Sequence, residues 1–174
     1  MVASELDGIG TEHLSELEHM GYDYVEMPLA EMMRLDGPNF LELKRRVDRL
    51  TIGCEVCNNF FPKHMRLTGQ EVRMDLVLSY AERALTRAKD LGATCVVFGS
   101  GSAKNVPKGT SLEKGYQQIV DLLNQIASLA ANRDIIICIE PLRKQECNLI
   151  NTFEEGGRLA DELRHPNIKV LADY

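Results

Sequence analysis

Three carboxylates stand where short apolar runs give out. Glu26 lies in Tyr22–Met27, Glu140 follows directly on Ile135–Ile139, and Asp173 ends Ile168–Ala172. A carboxylate at the mouth of an apolar strand loses hydration and needs a cation or hydrogen bonds in return. Two or three converging on one mouth repel one another unless a divalent ion sits between them, and oxygen ligands suit Mg or Mn. The alternative is that each caps a helix or pairs with a base such as Arg143 or Lys144. Glu140 also heads the most specific string of the chain, Glu-x5-Glu-x4-Asn, which runs through Glu146 and Asn151 into Thr152. His64, in Phe-Pro-Lys-His-Met, is a further candidate for substrate contact, against the reading of an ordinary loop histidine.

The elements that must position these residues alternate regularly. Helical spacing runs over Thr11–Met20, from Pro38 to Leu50, over Gln70–Leu91 with Leu76, Val77, Tyr80, Ala84, Ala88 and Leu91 inside, and from a Ser111 cap to Asn132. Thr152-Phe-Glu-Glu155 is a capping box that opens a fifth helix over Leu159, Ala160 and Leu163. Between them lie the apolar runs Tyr22–Met27, Thr51–Cys57, Thr94–Phe98, Ile135–Ile139 and Ile168–Ala172. The order α-β-α-β-α-β-α-β-α-β, with strands about 30–40 residues apart, fits successive βα units. Runs this apolar suggest strands covered on both faces of a parallel sheet. No composition shift marks a boundary, so 1–174 reads as a single domain.

A doubly wound sheet and a (β/α)8 barrel both make this pattern. Gly99-Ser-Gly101-Ser-Ala-Lys104 has Lys104 where a third glycine belongs and is a weak dinucleotide signal. Active sites of βα folds lie at the C-terminal strand ends, where Glu26, Glu140 and Asp173 fall.

The Glu140–Asn151 string, Asp173 at the end of the next strand, Gly21-Tyr-Asp-Tyr-Val-Glu26 and Ala88-Lys-Asp-Leu-Gly92 together resemble the xylose isomerase-like TIM-barrel sugar (phosphate) isomerase/epimerase superfamily. The ketose 3-epimerase and hydroxypyruvate isomerase branches are the most similar. The resemblance implies a parallel α/β (β/α)8 TIM barrel, present as an incomplete barrel of about five βα units, strands two to six. It makes Glu140 and Asp173 ligands of a divalent metal, usually Mn, with Mg, Co or Zn as alternatives, and Glu140 an acid/base catalyst. Glu146 would bind substrate hydroxyls, and Glu26 and His64 would contact the substrate. The implied reaction is proton transfer next to a ketose carbonyl through an enediolate, on a sugar or sugar phosphate. The family takes a His and a second Glu ligand from later strands, and its first strand is absent here or reduced to Met1–Gly8.

The resemblance leaves two rival functions open. One is a non-catalytic sugar-binding or assembly module built on a truncated barrel. The other is an apurinic-site endonuclease-like metal phosphodiesterase. Twenty Lys+Arg against 26 Asp+Glu give a net charge of −6, which offers nucleic acid no general attraction. With no long apolar run and no basic leader, the sequence suggests a cytoplasmic protein that leaves membranes alone, and the resemblance implies an enzyme of carbohydrate metabolism for which a homo-oligomer is one expectation. The five cysteines are not a disulfide framework. Cys54 and Cys57 form a CxxC without a partner pair, and on a regular strand they point to opposite faces, so they read as reduced structural thiols. Lys63, Lys104 and Lys108 are loop lysines, solvated or phosphate-binding.

Overall fold

The structure is a computed structural model that describes residues 10–172. Met1–Ile9, Asp173 and Tyr174 lie outside the described residues, and with them fall the reduced first strand and the expected ligand Asp173.

A 3-10 turn at Thr11–His13 leads into α1 (Leu14–His19), β1 (Tyr24–Pro28), the short α2 (Leu29–Met32), α3 (Gly37–Val47) and β2 (Gly53–Asn58). Then come α4 (Met74–Asp90), β3 (Cys95–Phe98), the short α5 (Gly101–Lys104), α6 (Leu112–Ala131), β4 (Ile136–Ile139), α7 (Phe153–Leu163) and β5 (Ile168–Val170). The five strands pair in parallel in the order β1-β2-β3-β4-β5. Each neighbour is also the next in sequence, which is the winding of an α/β barrel wall: a partial TIM barrel of five strands.

Local chemistry sets the helix boundaries. Asp36 caps α3 by accepting from the Asn39 N–H, with a proline in the first turn, and Ser111 caps α6 by accepting from the Lys114 N–H. At α7 the full capping box forms: Thr152 Oγ1 accepts from the Glu155 N–H at 3.1 Å, and the Glu155 carboxylate accepts from the Thr152 N–H. Gly21 and Gly92 end α1 and α4 with φ of +82° and +95°, a backbone that side-chain-bearing residues resist.

The core lies between sheet and helices. Val25, Met27, Cys57, Val96, Phe98, Ile137, Ile139 and Ile168 point to the helix side, against Ala81, Leu85, Ile119, Leu123 and Leu159. Burying each large side chain contributes about 1.5–3 kcal/mol. The opposite face is less covered than the apolar runs suggest. Tyr24 and Ile136 are exposed and Cys138 is half-buried, because that face looks into the barrel lumen and five strands form only an arc around it. In α4 the buried stripe is Val77, Tyr80, Ala81, Ala84, Leu85 and Ala88. Leu76, expected inside, is 53% exposed, since it falls a hundred degrees round the helix from Val77.

β2 carries an irregularity. Val25 pairs with Cys54, but Glu26 pairs with Val56, so Glu55 is an extra residue. The bulge cancels the strand alternation between Cys54 and Cys57. Contrary to the regular-strand expectation, both thiols are buried on one face with their sulfurs 3.9 Å apart. Their hydrogen bond and burial push the Cys57 thiol up, which keeps it a protonated core group. On the lumen face, the Sγ atoms of Cys95 and Cys138 lie 2.8 Å apart across β3 and β4. Among the described residues no helix is long and apolar enough to cross a membrane.

Candidate functional site at the C-terminal strand ends

Glu140 is the first residue after β4. Its N–H donates to the Phe98 carbonyl at 3.3 Å, continuing the ladder one residue past the strand, and its half-buried side chain lies over Gly99. A Cβ at Gly99 would coincide with the Glu140 carboxylate. Gly99 thus leaves a cradle that this carboxylate fills.

Beneath it sits Lys104. The sequence places this lysine in a polar loop, solvated or phosphate-binding. The structure corrects that: α5 turns the loop inward and Lys104 has no exposed surface. Its Nζ donates to the Glu140 main-chain carbonyl at 3.4 Å and lies 5.4 Å from the centre of the Phe98 ring. Burial pushes the Lys104 amine down to about 8, with Cys147 and Glu140 pulling it partly back up. The main chain of α5 is anchored from β2's side: Thr68 Oγ1 donates to the Lys104 and Asn105 carbonyls at 3.2 and 2.9 Å, and the Leu67 N–H donates to Ala103 at 3.0 Å.

The segment after Glu140 folds into a tight loop. Asn151 Nδ2 donates to the carbonyls of Leu142 and Cys147 at 2.7 and 2.8 Å. Asn148 clips this loop to the β3 side, accepting from the Val106 N–H at 2.8 Å and donating to the Val106 carbonyl at 3.0 Å. Glu146 is exposed, and both its oxygens accept from Arg143, at 3.0 and 3.1 Å. This hydrogen-bonded guanidinium holds the Glu146 carboxyl below its ordinary range.

The other expected site residues stand apart from Glu140. Glu26 is exposed on β1, level with Val56 and three strands from β4. His64 is exposed in the loop after β2 and lines a different cleft, with Glu31, Arg34, Lys63 and Arg83. Among the described residues no three His, Cys, Asp or Glu side chains converge as a metal site. Glu140 therefore stands as one oxygen donor with room made for it by Gly99. That donor fits a hard divalent ion, and its expected co-ligand, Asp173, falls outside the described residues.

Sequence reading missed the burial of Lys104, the cradle at Gly99 and the cleft around Glu31. A lysine amid Gly, Ser, Asn and Pro carries no burial signal, and the cleft joins residues some fifty positions apart.

Comparison with known proteins adds the following. A family model described as a xylose isomerase-like TIM barrel matches residues 14–174. A D-psicose 3-epimerase crystallised with D-fructose superposes with a TM-score of 0.80 at 18% identity, over 92% of this chain and 56% of that one. A 3-keto-D-glucoside 4-epimerase from E. coli gives 0.74 at 17% identity, over 92% and 61%. An AP endonuclease, family 2, from Brucella melitensis gives 0.75 at 16% identity, over 94% and 62%. The chain thus spans roughly three-fifths of the length of these structures, and the likeness is one of fold. No curated protein matches it.

Proposed function

The chain belongs to the xylose isomerase-like TIM barrel family, and on that premise we propose that it is a sugar or sugar-phosphate isomerase or epimerase working by proton transfer next to a ketose carbonyl. The observation that carries this reading is Glu140: a carboxylate at the C-terminal end of β4, received by Gly99 and underlain by the Lys104 amine.

Glu140 and Asp173 are the residues that would hold a divalent ion, Mn before Mg, Co or Zn. Bound there, the ion would polarise the ketose carbonyl and acidify the neighbouring C–H. The chain's own part is acid/base work. Glu140 serves one face of the substrate, taking up or giving back the carbon-bound proton: epimerisation needs a second glutamate on the opposite face, whereas Glu140 itself can return the proton to the adjacent carbon for isomerisation. Lys104 holds the Glu140 main chain in place. Glu146 would reach substrate hydroxyls once it leaves Arg143, whereas Glu26 and His64, which stand apart from Glu140, would contact only a part of the substrate that extends towards β1 and the loop after β2.

The test is solvent deuterium uptake. D-fructose incubated with the protein and Mn2+ in D2O should gain deuterium next to its carbonyl, and Glu140→Gln should abolish the gain. Mn2+ binding without any exchange in the wild type would overturn the enzyme reading in favour of a sugar-binding or assembly module. Cleavage of abasic DNA without exchange would favour the endonuclease-like alternative, which the net charge of −6 argues against.

A further inference from the structure

A cleft of about 640 Å3 opens between α2, the loop after β2 and the middle of α4. Such a volume is typical of small-molecule sites, about 300–1,000 Å3. Its apolar lining includes Met33, Met65 and Tyr80. Tyr80 spends its hydroxyl on the Phe60 carbonyl at 3.0 Å, so the ring alone faces the cleft chemistry.

The walls carry Arg34, Lys63 and Arg83. Among the described residues none of the three side chains has an ion-pair or hydrogen-bond partner, although surface arginines elsewhere, such as Arg45, Arg143 and Arg158, are paired. Glu31 lies among them. One of its carboxylate oxygens, Oε2, is buried and has no hydrogen-bond partner. A buried acceptor left unmade costs about 1–3 kcal/mol, so a turn of the Glu31 side chain that brings this covered oxygen to a ligand hydroxyl in the cleft would recover that cost. In a chain of net charge −6, this cleft gathers three unpaired cations around one acceptor that lacks a donor. Glu31 and Lys63 also line a smaller depression that reaches Ser100 and Gly101.

We propose that this cleft binds a small organic phosphate bearing hydroxyl groups, with the phosphate on Arg34, Lys63 and Arg83 and a hydroxyl donated to Glu31. Phosphate suits the cations because each guanidinium gives it charge-assisted, paired hydrogen bonds. The hydroxyl suits Glu31 because a carboxylate only accepts. The inference rests on the cleft and not on the chemistry at Glu140, and binding, not turnover, tests it.

The probe is glycerol 3-phosphate, titrated calorimetrically into the metal-free chain at low ionic strength, beside glycerol and inorganic phosphate. Glycerol 3-phosphate should saturate, inorganic phosphate should bind more weakly, and glycerol should not bind. Arg34→Ala and Arg83→Ala should each weaken glycerol 3-phosphate by about tenfold, and Lys144→Ala, an exposed lysine outside the cleft, should leave it unchanged. Glu31→Ala should act in opposite directions, weakening glycerol 3-phosphate and tightening inorganic phosphate by removing the neighbouring negative charge. Absence of saturable binding, indifference to both arginine variants, or a Glu31→Ala effect of the same sign on both ligands would overturn the proposal. All these side chains reach the surface, and circular dichroism confirms that each variant is folded.

Discussion

The Lys104 ammonium donates to the main-chain carbonyl of Glu140 at 3.4 Å from a side chain with no exposed surface. A buried cation with one long hydrogen bond and an aromatic ring for company is under-compensated, and its amine is accordingly pushed down to about 8. The position is tolerable because the charge faces the loop that carries Glu140.

That depression makes stability depend on pH. Between about 8 and the ordinary lysine value near 10.4, the unfolded chain binds a proton that the folded chain has released, so stability rises with pH across this window. Below about 8 both states are protonated and the full cost of burying the charge is present. Wild type should gain roughly 3 kcal/mol relative to Lys104→Met over the window. Urea unfolding of the metal-free proteins at several pH values checks this, and parallel curves for the two would refute it.

The two glycines at the mouth should respond differently to alanine. At Gly99 the added Cβ meets the far end of the Glu140 side chain, which can swing away. Gly99→Ala should therefore cost under about 1 kcal/mol of stability yet displace the carboxylate, with loss of Mn2+ affinity. At Gly101 the Cβ lies 3.0 Å from the Glu146 carbonyl and 2.9 Å from Leu142 Cδ1. The Glu146 carbonyl belongs to a loop fixed by Asn148 and Asn151, so Gly101→Ala should cost about 1–3 kcal/mol. Thermal melts and Mn2+ titration separate the two behaviours.

The capping box of α7 can be tested alone. Thr152→Ala removes the acceptor for the Glu155 N–H and should lower stability by about 1 kcal/mol. Thr152→Ser keeps a hydroxyl and should recover most of the loss. Shifts in urea midpoint at constant slope are the readout.

Arg143 governs Glu146. Arg143→Ala removes the two hydrogen bonds and the neighbouring charge, so the Glu146 carboxyl should titrate higher, back towards its ordinary range. Carbon-detected NMR titration of the side chain reads this directly. A titration curve identical to wild type would show that the pair does not persist in solution.

Much of the wall was legible in the sequence because its signals are local. The five apolar runs become the five strands, Ser111 and Thr152 cap where their types suggest, and Gly21 and Gly92 turn the chain where helices end. Glu140 was legible for the same reason, as the first charge after four isoleucines and a cysteine. What escaped depends on distant partners. Lys104 is buried by Phe98, Cys147 and the Thr68 clip, none of which its own neighbours announce. The cleft needs α2 and α4 side by side before Glu31, Arg34 and Arg83 become neighbours. The shared face of Cys54 and Cys57 needs pairing with β1, since one strand alone does not reveal which residue is extra.

That extra residue has a consequence for how related chains are compared. Glu55 occupies a place in the count of residues but none in the pairing of β1 with β2. A relative whose second strand is regular would be one residue shorter there, and an alignment drawn without a gap would put Cys57 against a lumen-facing position. Every difference then tallied in β2 would mix inward with outward substitutions. Placing the gap at 55 restores like to like.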